Sequence, residues 1–111
     1  MKYEAIKNNR DFVRAYKKGK KAVSNLIVLY KIKNDGNEKR IGITVSKKVG
    51  KAVTRNRVKR LIREAVYLNY KKLTDGYDYV FVARVRAADA EYKDLISNAN
   101  YAVNKIQNMK K

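Results

Sequence analysis

The sequence predicts one α+β domain of order α-β-β-α-β-α, a single sheet packed with helices. Three observations carry this. Apolar residues recur at helical spacing in three stretches, and at strand spacing or as short apolar runs in three others. The 111 residues, 45% of them hydrophobic, suffice for one core. Proline is absent and no repeat, low-complexity tract or change in composition marks a boundary, so residues 1–111 are expected to form one domain.

The first helix is expected over about residues 9 to 18. Asn8 or Asn9 can cap it, and Asp11 falls in the first turn, where the helix dipole favours an acid. Phe12, Val13 and Tyr16 share one face, and Gly19 is a natural stop. Ala22 to Lys33 reads as one strand around the apolar run Leu26 to Ile32, and Asn34-Asp35-Gly36-Asn37 is a hairpin turn signal. Arg40 to Ser46 alternates, placing Ile41, Ile43 and Val45 on one face. Gly42, Thr44 and Ser46 leave the other face low enough to receive a helix or a ligand. Thr54 is the expected cap of a central helix whose buried stripe is Val58, Leu61, Ile62, Ala65, Val66 and Leu73. Asp75-Gly76 ends that region, and Tyr77 to Val85 is another apolar strand. A last helix, about 91 to 108, turns Tyr92, Leu95, Ile96, Ala99, Val103 and Ile106 inward, with Asp89, Glu91 and Asp94 near its start.

Charge narrows the function. The chain holds 28 Lys and Arg against 10 Asp and Glu, a formal charge of +18. Between residues 39 and 63 stand Lys39, Arg40, Lys47, Lys48, Lys51, Arg55, Arg57, Lys59, Arg60 and Arg63, with no acid among them. Arg55, Lys59 and Arg63 stack at i, i+4 and i+8, an arrangement that repels itself in an isolated helix. Because the periodic apolar residues exclude disorder, this is a folded basic surface suited to a polyanion, foremost nucleic acid. Lysines attract phosphates diffusely, arginines grip them with a planar fork, and free N–H groups near Arg55 and Asn56 at the helix start are expected to add an anion site. Phe12, Tyr16 and Tyr30 read first as ordinary core, with stacking of unpaired bases left open as a second use.

The same composition excludes much else. Without cysteine there is no disulfide or thiolate metal site, and without histidine the usual neutral-pH acid/base group is missing. The carboxylates suit turns and helix starts, so neither catalytic side chains nor a protein-only metal site is expected. The N-terminus lacks the apolar stretch of a signal peptide, and no run approaches the roughly 20 residues that span a bilayer. A cytoplasmic protein without membrane contact or obligate protein partner is expected.

The segment from Arg40 to Glu64 carries Val45-Ser46-Lys47-Lys48-Val49-Gly50-Lys51-Ala52-Val53-Thr54-Arg55-Asn56-Arg57-Val58-Lys59-Arg60-Leu61-Ile62-Arg63-Glu64, and it closely resembles the bacterial ribonuclease P protein subunit family. The resemblance extends upstream through Asn9 to Gly19 and downstream to Arg84. It implies that the chain binds a large catalytic RNA and that the pair removes the 5′ leader from precursor tRNA. Chemistry would belong to Mg²⁺ held by the RNA, with no cofactor bound by the protein alone. Lys47, Lys48, Lys51, Arg55, Asn56, Arg57, Lys59, Arg60 and Arg63 would face the catalytic RNA, while Phe12, Tyr16 and Tyr30 would line the leader cleft. Many members carry Phe where this chain has Tyr16, so the stacking ring is kept. General rules make parallel β-α-β crossovers right-handed, whereas this family implies a left-handed one around the central helix. Composition alone also fits a structural or chaperone-like RNA binder such as a ribosomal protein. A protein-only nuclease finds no acid/base pair to support it.

Overall fold

A computed structural model describes residues 3–109. The strands are β1 (Glu4–Ala5), β2 (Lys20–Val23), β3 (Ile27–Lys33), β4 (Arg40–Thr44) and β5 (Tyr77–Ala83), and the α-helices are α1 (Asn9–Lys18), α2 (Ala52–Asn69) and α3 (Tyr92–Gln107). Short 3-10 helices follow β4 at Lys47–Val49, α2 at Tyr70–Lys72 and β5 at Val85–Asp89. One five-stranded sheet has the order β1-β4-β5-β3-β2. β4 runs parallel to β1 and β5, while β3 is antiparallel to β5 and β2.

Strand alternation divides the sheet into two apolar faces. Ile27, Leu29, Ile41, Tyr79 and Phe81 join Val58, Ile62, Val66, Leu95, Val103 and Ile106 in the main core beneath α2 and α3. Val80, with Phe12, Tyr30, Ile32 and Val82 around it, meets Ile6 and Ala15 in a smaller core beneath α1. A Cβ on Gly42 would lie 2.6 Å from the Phe12 ring, so the small residue expected at that face is what lets α1 settle on the sheet. Gly19 does end α1, but at φ −73° it is not left-handed; any Cβ there would lie 2.5 Å from the Ala15 carbonyl oxygen.

Several expectations are corrected. The strand expected over 22–33 is two strands, because Ser24 folds the chain back: its Oγ donates to Ile27 O at 2.8 Å and accepts from Ile27 N at 3.2 Å. Asn34–Asn37 does turn, with Asn34 Oδ1 accepting from Gly36 N at 2.9 Å, but no hairpin forms. β5 lies between β3 and β4 and takes up both ladders. Helix α2 begins at Ala52, not at a Thr54 cap; Lys51 is its N-cap residue and Gly50, at φ 153°, supplies the bend before it. Leu73 is buried but lies beyond α2, past the 3-10 turn. Tyr92, expected to face inward, is 48% exposed.

One polar cluster joins the layers. Asp78, on β5, has no exposed surface and accepts from Arg40 Nε at 2.8 Å, Arg40 Nη2 at 2.6 Å and Asn34 Nδ2 at 2.9 Å. Arg40 also reaches Asp11 of α1 at 3.3 Å. The arginine pKa is raised, chiefly by the hydrogen bond to Asp78, against the opposing effect of burial. Asp78→Ala should destabilise the fold by about 1–3 kcal/mol, since Arg40 and Asn34 lose a buried acceptor while Arg40 keeps Asp11 and part of its exposure. Urea melts of the variant and the unmodified chain measure this. Gly42→Ala should cost about 1–3 kcal/mol in the same melts by overpacking the Phe12 ring.

Candidate nucleic-acid interface

The basic residues are carried by the β4–α2 connection and the first three turns of α2. Val58, Ile62, Ala65 and Val66 anchor α2 to the core, which leaves its other sides to the cations. Lys47, Lys48, Lys51, Asn56, Arg60 and Arg63 are exposed, while Arg55, Arg57 and Lys59 are half-buried. Among the described residues, the ion pairs gather around Lys39 and Arg40, and no acid pairs with the cations from Lys47 to Arg63. Two of the arginines also turn to the backbone. Arg55 Nε donates to Gly50 O at 3.1 Å, and the Arg57 guanidinium donates to the carbonyls of Ala88 and Ala90.

The helix start lies a turn earlier than expected. Arg55 N already donates to Lys51 O, so the unbonded N–H groups belong to the turn beginning at Ala52 and not to Arg55 and Asn56. That turn contains no acid and has no side-chain cap, so the positive end of an 18-residue helix adds to the field of Lys51.

The three aromatic residues come together across α1 and β3. Phe12 and Tyr16 have ring centroids 6.4 Å apart, and Tyr16 meets Tyr30 edge-on at 5.1 Å. Phe12 and Tyr30 are half-buried and Tyr16 is 39% exposed, so the cluster is part core and part surface. The Tyr16 hydroxyl shares a 2.9 Å hydrogen bond with Thr44 Oγ1, which fixes the ring against the end of β4. Three residues past Thr44 the chain reaches Lys47, so the aromatic cluster and the basic surface adjoin at that end of the sheet.

Sequence reasoning missed Arg84 and Arg86. Both are exposed, and with Ser46 and Lys48 they line a groove of about 430 Å³ beyond the ends of β4 and β5. The strand expected to run on to Val85 ends at Ala83, and the chain turns there into a 3-10 helix that carries Arg86. No helix among the described residues is long and apolar enough to cross a membrane.

Comparison with known proteins agrees with this architecture. The family model described as Ribonuclease P matches residues 1–107. A ribonuclease P protein component from Clostridioides difficile is 50% identical over 93 residues, covering 83% of this chain and 82% of the relative. One from Clostridium botulinum is 51% identical over 98 residues, covering 87% and 88%. Among solved structures, the Staphylococcus aureus RNase P protein superposes with a TM-score of 0.84 at 34% identity, covering 96% of this chain and 100% of that one. The Thermotoga maritima RNase P protein gives 0.80 at 27% identity, covering 97% and 99%. A family model that takes in nearly the whole length, together with relatives at half identity, establishes that this chain belongs to the ribonuclease P protein family.

Proposed function

We propose that the chain is the protein subunit of a ribonuclease P, binding the catalytic RNA and the 5′ leader of precursor tRNA in the cytoplasm and promoting endonucleolytic removal of the leader. The observation that carries this reading is a cationic surface without acids that adjoins an aromatic cluster, in a chain of this family. Lys47, Lys48, Lys51, Arg55, Asn56, Lys59, Arg60 and Arg63 meet the catalytic RNA, with Arg57 held among them. Their charge offsets the repulsion between two RNAs brought together. Phe12, Tyr16 and Tyr30 hold unpaired leader bases, a feature the mature product lacks, so the complex prefers substrate over product. The hydrolytic chemistry would come from Mg²⁺ held by the RNA, and this chain supplies binding and discrimination. A ribosomal or chaperone-like role shares the charge but not the family.

The reading is tested by precursor-tRNA cleavage with a bacterial ribonuclease P RNA at low Mg²⁺. Adding the protein should stimulate release of a correctly trimmed 5′ end, whereas no stimulation, with the RNA active at high Mg²⁺, sinks the proposal. RNA binding should weaken with salt at a log–log slope of about 0.7–0.9 per phosphate contact, and Arg60→Ala should lower that slope by about one contact. Tyr30→Ala should weaken the complex with leader-bearing precursor by about 1–3 kcal/mol and leave mature tRNA unchanged. Tyr16→Phe and Thr44→Val should each cost about 0.5–1.5 kcal/mol on the precursor alone, and no more when combined, because both remove one hydrogen bond.

A further inference from the structure

Arg57 stands within the basic surface, yet its guanidinium turns toward the protein. It donates through Nη1 to Ala88 O at 3.5 Å and through Nη2 to Ala90 O. Those carbonyls lie at the end of the 3-10 helix Val85–Asp89, just before α3, where the backbone has run out of intrahelical donors. Its neighbours Asn56 and Arg60 are exposed, whereas Arg57 is half-buried. A planar fork bridges two acceptors in a way that a single ammonium does not.

The segment held in this manner is anchored on both sides. Its near end is pinned by Arg84, whose Nη1 donates to Ser24 O at 2.9 Å and whose backbone N donates to Leu26 O at 2.9 Å. Ala87 and Ala90 are buried in the main core. Between these anchors Arg86 is exposed beside Lys48 and Ser46 in the groove beyond β4 and β5.

We propose that Arg57 is a positioning residue, which ties α2 to residues 85–90 and so sets Arg86 against Lys48, and that it does not itself neutralise a phosphate. This rests on the RNA-binding role proposed above and divides the labour within it. Arg60 and Arg86 meet the polyanion, and Arg57 holds the piece of backbone that presents one of them.

The test measures binding of the full chain to a bacterial ribonuclease P RNA across a salt series, with circular dichroism confirming that each variant is folded. Arg57→Ala should weaken binding about tenfold, the factor expected from losing a hydrogen bond to a charged donor, and should lower the salt slope no more than Arg86→Ala does, with no further fall when the two are combined. Arg60→Ala should reduce the slope by about 0.7–0.9 whether or not Arg86 is present. Arg57→Lys, which keeps the charge and loses the fork, should remain weaker than the unmodified chain. The losses from Arg57→Ala and Arg86→Ala should fail to add when combined. In the free protein, amide exchange over residues 85–90 should quicken in Arg57→Ala and not in Arg60→Ala. A further fall in slope when Arg57→Ala is added to Arg86→Ala, full rescue by Arg57→Lys, or unchanged exchange over 85–90 overturns the assignment. If the unmodified chain binds no RNA, the function proposed above falls, and the exchange measurement still judges the tether by itself.

Discussion

A carboxylate with no exposed surface needs compensation from every side, and the way Asp78 obtains it organises this fold. Arg40, from the adjacent strand β4, supplies two donors, and Asn34, at the end of β3, supplies a third. Because Arg40 reaches Asp11 as well, the cluster also holds the N-terminal part of α1 over the sheet. An ion pair in such a place adds little net stability compared with apolar packing, but it tolerates few alternative arrangements. It joins three strands' ends and one helix in a single register. The aromatic cluster depends on that register, since Phe12 and Tyr16 reach Gly42 and Thr44 only when α1 lies where Asp11 holds it.

The placement of the acids accounts for how a chain of +18 remains folded while presenting a bare basic surface. Asp11, Asp75 and Asp78 meet Arg40 and Lys39, at the end of the sheet away from Lys47 and Lys48. Elsewhere lysines rest over rings: Lys31 lies 4.6 Å from the Tyr77 centroid, and Lys39 lies 4.4 Å from that of Tyr70. Such contacts shelter positive charge without introducing a negative one beside the basic helix. The ion pairs of the fold thus leave the cations from Lys47 to Arg63 without acid partners among the described residues.

Much of this is legible in the sequence, for physical reasons. Helices announce themselves through a buried stripe, so α1, α2 and α3 can be read to within a few residues. The basic surface is equally plain, because ten cations from Lys39 to Arg63 with no acid among them repel one another until a polyanion offsets them. Strand partners are not legible, because a turn sequence such as Asn34–Asn37 reports that the chain reverses and says nothing about which strand arrives beside it. The break at Ser24 is hidden because its hydroxyl bonds act within a run that otherwise reads as continuous apolar strand. Arg57 reads as one more cation, since a side chain that turns inward to backbone carbonyls leaves no mark in residue spacing.

The position of β5 has a consequence for how the molecule is made. The strand that fills the middle of the sheet is the last of the five in chain order, and both its neighbours leave the ribosome long before it. Until residues 77–83 emerge, β3 and β4 each present an open edge, and Arg40 has no Asp78 to meet. Meanwhile the cationic α2 has already been synthesised, without the sheet and α3 against which it packs. A nascent chain of this protein therefore lacks the middle of its sheet for most of its synthesis, and the core closes only once the central strand, and α3 after it, have joined partners made earlier.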